Sequence, residues 1–168
     1  RRLPTGGGEI EARWNRFQAD TLRNQGVLTM LELKEYQKRS LAALESYLCL
    51  AATAGDKMAF LHHTERPYRS VPQLPGLPYI CLRIPTGGGK TLVACHSLGV
   101  VAKEFLQTET VVCLWLVPSN TIREQTLAAL RDRRHPYRQA VEAHFGGPVT
   151  VMDLTEARAR AAARLRIE

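Results

Sequence analysis

The residues best equipped for chemistry lie between Pro85 and Thr91, in the run Pro-Thr-Gly-Gly-Gly-Lys-Thr. Three consecutive glycines expose backbone N–H groups with no side chain in the way, and a lysine and a hydroxyl follow at once. That order suits a polyphosphate. The N–H groups of Gly87 to Thr91 can surround the β-phosphate, Lys90 reaches the β/γ oxygens, and the Thr91 hydroxyl coordinates Mg2+. Lys90 and Thr91 are therefore the candidate catalytic residues, Thr91 being also the metal ligand. Pro85, Thr86, Gly87, Gly88 and Gly89 form the candidate loop around the ligand. The full spacing rule G-x-x-x-x-G-K-[ST] puts a glycine where Ile84 stands here.

A second copy of the same five residues, Pro4 to Gly8, shows what the motif requires. It runs on into Glu9 where Lys90 stands in the other copy, and no apolar run precedes it. A carboxylate about 4 Å from a phosphate charge repels it by ~4 kcal/mol at an effective dielectric of ~20, where lysine would attract by as much. The Pro4–Gly8 copy reads as a decoy and the Pro85–Gly89 copy as the site.

A phosphate loop needs an element to aim it and a helix to follow it. Residues 79–84 read as a short buried strand, and 90–107 as a helix with Leu92, Val93, His96, Val100 and Phe105 on or near one face. Residues 110–117 form a continuous apolar run of the kind that parallel sheets bury on both sides. Ser119 or Asn120 can cap a helix over 121–132. A short helix at 137–145, a third strand at 148–153 and a basic helix at 155–168 complete the pattern. Upstream, Leu33, Tyr36, Leu41, Leu44, Tyr47 and Leu48 recur at helical spacing as far as Gly55, and a proline-rich insertion fills about 64–78. Residues 1–29 read as a flexible arm with a short helix around Glu9 to Phe17. Strand and helix alternate three times after residue 78, so the expected class is α/β, a parallel sheet flanked by helices over residues 30–168.

Composition narrows the partners. A formal charge of +7 over 168 residues points to a polyanion, nucleic acid above all. The four cysteines form no C-x-x-C pair and read as buried, reduced thiols of a cytoplasmic protein. His62 and His63 are adjacent and His96, His135 and His144 are scattered, which makes a metal site unexpected. The longest apolar run, 111–117, is too short to span a bilayer, so no membrane partner is expected. The chain opens on Arg1 and stops inside a helical pattern, as a piece of a longer protein would.

Three segments together carry a resemblance. Pro-Thr-Gly-Gly-Gly-Lys-Thr resembles the Walker A motif of superfamily 2 (DEAD/DEAH-like) helicases and translocases, which commonly read P-T-G-x-G-K-T. The segment 33–44, with Tyr36-Gln37, is similar to the stretch upstream of that loop in these motors. Residues 114–130, Leu-Trp-Leu-Val-Pro-Ser-Asn and its following helix, resemble their motif Ia. The wording looks most like the amino-terminal part of the ATPase subunit of type III restriction enzymes, over about residues 30–130. The resemblance implies a P-loop NTPase of RecA-like fold, an incomplete first motor domain that couples ATP hydrolysis to DNA translocation in the full-length protein. It implies ATP and Mg2+ as cofactors, and as partners DNA and a DNA-methyltransferase subunit. Gln37 would contact the adenine edge, with Tyr36 beside it. Pro118, Ser119, Asn120 and Thr121 would touch the nucleic-acid backbone, although Ser119 reads equally as a plain helix cap.

Departures accompany the match. The interval from Gln37 to Lys90 is longer than these motors usually show, and no D-E-x-[HD] box is present. Asp153 ends an apolar run as a Walker B aspartate would, but Leu154 follows where glutamate is required. A second motor domain, its arginine finger and a nuclease motif are missing, so this chain by itself is expected to hydrolyse little ATP. Two other readings stay open: a non-catalytic nucleic-acid-binding module with a vestigial loop, and a small P-loop kinase. In the latter Arg131, Arg133, Arg134 and Arg138 would imitate a lid, although they read more simply as a solvated or phosphate-facing turn.

Overall fold

A computed structural model describes residues 31–164 of the chain. The expected arm and the Gly6–Gly8 copy of the glycine motif fall outside those residues. Six α-helices occur among the described residues: α1 (Glu35–Ala54), α2 (Asp56–Thr64), α3 (Lys90–Val101), α4 (Asn120–Arg131), α5 (Pro136–Glu142) and α6 (Leu154–Arg164). A π-helical turn, Ala102–Leu106, extends α3 and stops at Gln107, which adopts a left-handed conformation (φ 51°).

The helices follow their apolar spacing. On α1, Leu41, Leu44, Leu48 and Ala51 recur every three or four residues and all are buried. The helix starts where Lys34 is still extended, and it ends as the Gly55 N–H bonds the Ala51 carbonyl. A second helix, α2, follows directly on Gly55, where the sequence reads only a stop. α1 packs against α2, α3 and the π-helical turn, while α5 packs on both α3 and α4. Leu92, Val93, Cys95 and Val100 of α3 meet Ala140 and Val141 of α5 in this core. Burying each leucine or valine among them stabilises the fold by about 1.5–3 kcal/mol.

The expected parallel sheet is not found. Among the described residues no strand forms, and no backbone hydrogen bond joins 79–84, 110–117 or 148–153 to one another. The α/β, RecA-like assignment is thereby corrected: the described part is helical. The physical reason is that an apolar run becomes a strand only when a neighbour takes up its N–H and C=O groups. Here each run leans on the helical core through one or two residues instead. Ile80, Ile84, Trp115 and Val149 pack against the core. Tyr79, Leu82, Val112, Leu114, Leu116 and Met152 of the same runs are exposed. The segment 110–117, read as buried on both faces, is buried on neither face completely.

Candidate functional site

The glycine loop sits between the core and the first turn of α3. Ile84 anchors it on the core, and the Gly88 N–H closes a turn onto the Pro85 carbonyl at 3.0 Å. Gly87 (φ 76°) and Gly89 (φ 71°) both take left-handed conformations that other residues adopt only at a cost. Gly88 is held for a different reason: a Cβ there would stand 2.6 Å from Ile84 Cγ2 and 2.9 Å from the Pro85 oxygen.

Two side chains from the start of α1 grip this loop from behind. Tyr36 Oη and Gln37 Nε2 each donate to the Gly88 carbonyl at 3.0 Å. Gln37 Oε1 accepts from the Lys34 N–H at 2.9 Å, and the residue is only 5% exposed. Residues some fifty positions apart in sequence, which the sequence assigns to one ligand, are thus brought together at one carbonyl.

In front of the loop, α3 opens with no side-chain cap, because its N-cap is Gly89. The first-turn N–H groups of a helix have no intrahelical partner, and their aligned dipoles favour an anion there. Lys90 is exposed, and its Nζ donates to the carbonyls of Pro85 (3.1 Å) and Ile84 (3.5 Å), folded over the loop it follows. Thr91 lies half-buried in the first turn. Open donors, a lysine and a hydroxyl at one helix end fit a magnesium-bound polyphosphate, with Pro85, Thr86 and Gly87 exposed along the same loop.

The second predicted contact region is arranged differently. Pro118, Ser119, Asn120 and Thr121 are all exposed, but Ser119 Oγ accepts from the Ile122 N–H at 3.3 Å and caps α4. Asp153 is likewise a cap. Its Oδ1 accepts from the Glu156 N–H at 2.9 Å, while Glu156 Oε2 accepts from the Asp153 N–H at 2.8 Å, a reciprocal pair at the start of α6.

Two arginines of the arginine-rich turn, Arg131 and Arg138, are committed to structure. Arg138 is 5% exposed and donates to Glu142 Oε1 (2.8 Å), the Leu130 carbonyl (3.2 Å) and the Val149 carbonyl (2.6 Å). It ties α4, α5 and the 149 segment together. Arg131 pairs with Glu156.

One part-buried pair has no counterpart in the sequence reading. His96 Nδ1 and His144 Nε2 lie 3.1 Å apart, joining the middle of α3 to the chain just beyond α5. Burial pushes both imidazoles below their usual range, to about 4 for His96 and about 3 for His144. Two neutral rings sharing one N–H···N bond account for the contact. The only sequence signal was a histidine on the apolar face of α3, which must find a polar partner when buried. His135, also read as scattered, caps α5 by accepting from the Tyr137 N–H. Of the cysteines, Cys95 is buried and its thiol is pushed up to about 12 by burial, but Cys81 and Cys113 are exposed, so the reading of four buried thiols is corrected. Among the described residues no His/Cys/Asp/Glu group could hold a metal ion, and no helix is long and apolar enough to cross a membrane.

Compared with known proteins, residues 30–158 match the model of one family, described as type III restriction enzyme, res subunit. No curated protein and no solved structure matches the chain.

Proposed function

The chain belongs to the type III restriction enzyme res subunit family, and on that premise we propose that residues 85–91 bind Mg·ATP within a helicase-like ATPase that acts on DNA. The observation that carries this reading is the uncapped start of α3 beside an exposed lysine. The N–H groups of Gly89 to Thr91 and the Lys90 ammonium bind the triphosphate, and the Thr91 hydroxyl ligates the metal. Lys90 exchanges its two carbonyl partners for phosphate oxygens, a stronger, charge-assisted contact. Tyr36 and Gln37 support the loop from the opposite side. Bound Mg2+ supplies charge neutralisation at the phosphates.

DNA is the proposed polyanion for the +7 chain, held through phosphate contacts that include the exposed Pro118–Thr121 turn. Translocation along DNA and pairing with a methyltransferase subunit belong to the full-length protein in this reading. Arg131 and Arg138 are already tied to protein partners, which leaves the kinase alternative without two of its lid residues.

Hydrolysis by this chain alone is expected to stay near background. No Asp-Glu pair occurs anywhere in the 168 residues, and Asp153 is engaged as a cap. A missing arginine finger alone lowers the rate by ~10³–10⁵, or about 4–7 kcal/mol of transition-state stabilisation. Calorimetric titration with Mg·ATP and ADP, followed by a phosphate-release assay with and without duplex DNA, tests the reading. Magnesium-dependent binding with negligible turnover is expected. Absence of nucleotide binding would refute it.

A further inference from the structure

We infer that the turn joining α4 to α5, together with the start of α6, is a second contact surface for the phosphate backbone of duplex DNA, presented by Arg133, Arg134 and Arg160. This rests on the DNA-binding reading above and gives it a surface apart from Pro118–Thr121.

From Arg131 to Arg160 the chain holds six arginines, four acidic residues and no lysine. Two of the arginines fasten the scaffold. Arg131 pairs with Glu156 and so joins the end of α4 to the start of α6, while Arg138 is buried on Glu142 and two carbonyls. Each acid of the stretch is already engaged: Glu142 by Arg138, Glu156 by Arg131, Asp153 as the cap of α6, and Asp132 by the Arg134 N–H at 2.9 Å. Arg133, Arg134 and Arg160 are left exposed. Arg133 Nε stands 3.9 Å from Glu142 Oε1, beyond hydrogen-bond reach, and its side chain is 77% exposed. The Arg134 guanidinium has no partner among the described residues. Arg160 lies one turn beyond Glu156 on the same face of α6. Its Nη1 folds back to Met152 Sδ at 3.8 Å, toward the helix end that Arg131 reaches, and a thioether is only a weak acceptor.

The turn that carries Arg133 and Arg134 is itself held in place. The Asp132 carbonyl accepts from the His135 N–H at 3.0 Å, His135 Nδ1 accepts from the Tyr137 N–H, and the two rings meet edge to face at 4.6 Å. Little backbone freedom is left to lose on binding. A guanidinium binds phosphate through two parallel N–H···O bonds, which suits an all-arginine surface to this partner. Helix α4 has 12 residues, so its two ends stand about 18 Å apart. At about 3.4 Å per phosphate along one strand this spans about five phosphates, and one duplex can touch both ends.

The test is fluorescence anisotropy of labelled duplexes of two unrelated sequences, titrated with the chain from low to moderate salt. A variant carrying Arg133→Gln, Arg134→Gln and Arg160→Gln is compared with one carrying Arg66→Gln, Arg69→Gln and Arg158→Gln. The second removes the same charge from exposed positions elsewhere, two after α2 and one on the far side of α6. All six side chains are on the surface, so both variants should retain the helical circular-dichroism spectrum. The first variant is expected to weaken both duplexes alike, by more than about tenfold at low salt. Its slope of log K against log salt should fall by about 2–3, at ~0.9 per lost phosphate contact. The second variant should change that slope by less than about 1. Equal losses of slope in the two variants would overturn the inference, because net charge alone would then account for binding. An unchanged slope in the first variant would overturn it too, while leaving DNA binding in place. Failure of the unmodified chain to bind either duplex would instead strike the DNA-binding reading, and this inference with it.

Discussion

Helices α3 and α4 start in similar ways. Each follows an apolar, extended run and a proline, Ile84-Pro85 in one case and Val117-Pro118 in the other, and each was expected to meet phosphate. They differ in what happens to the first-turn N–H groups. At α4 the Ser119 hydroxyl takes up the Ile122 N–H. At α3 the corresponding position is Gly89, which has no side chain to offer, and a lysine follows. A serine cap satisfies a donor from within the chain, whereas a glycine cap leaves it for an outside anion. The contrast is reinforced behind the loops, because Tyr36 and Gln37 hold the carbonyl side of the glycine loop. The two helix starts thus differ in the Ser119 cap at α4 and in the Tyr36–Gln37 clamp behind the glycine loop at α3.

Removing the charge at the open end should have the largest effect. Lys90→Ala is expected to weaken Mg·ATP binding by about 10³-fold, the ~4 kcal/mol of one close charge pair at an effective dielectric of ~20. Ser119→Ala should leave that affinity unchanged. Equal losses in a fluorescent-nucleotide titration would erase the distinction between the two helix ends.

Acid should act on the far side of α3, where it is pinned and not open. Because His96 and His144 titrate below 6.5 when folded, the unfolded chain binds more protons between pH 6.5 and about 4. Stability is therefore full above pH 6.5 and falls as the pH drops through this window, by about 1.4 kcal/mol per pH unit for each imidazole. Urea titrations at pH 7 and pH 5 measure this, and His144→Asn should lessen the slope. A midpoint independent of pH over that range would contradict the buried, neutral pair.

The closed end answers in stability. Loss of the Ser119 cap should cost about 1 kcal/mol, read as a lower denaturation midpoint. Lys90→Ala has no such cap to lose, and a drop of similar size there would blur the comparison. Smallest of all is the effect expected in the run that leads into α4. Leu114 is 77% exposed, so Leu114→Ser should change stability by no more than about 0.5 kcal/mol. A buried strand leucine would cost about 2–5 kcal/mol when cut back to a small residue. The same denaturation experiment therefore separates the helical fold from the sheet that the sequence suggested.

What could be read from sequence depended on the range of the interaction. The helices announce themselves because their hydrogen bonds are local and their apolar faces recur every three or four residues, as Leu41, Leu44 and Leu48 do. The Ser119 cap and the glycine loop are also local, so their residues stand out in the sequence. Strands are not local. The run from Val111 to Val117 has the composition of a strand, but its pairing depends on a neighbour that the described structure does not supply. Long-range side-chain partners were equally hidden. His96 and His144 are 48 positions apart, and Arg138 looked like part of a solvated basic turn until its three acceptors came into view. Gln37, expected at an adenine edge, donates to the Gly88 carbonyl of the glycine loop, a contact across 51 positions that no local pattern shows.

On the proposed reading the start of α3 is an open anion site and the start of α4 is not. Amide chemical shifts of the isotopically labelled chain, followed as Mg·ATP is added, test it residue by residue. The expected result is saturable shifts of Gly87 to Leu92, with the amides of Ser119 to Ile122 unmoved. Shifts centred on Ser119 to Ile122, or none at Gly87 to Leu92 at millimolar nucleotide, would contradict it.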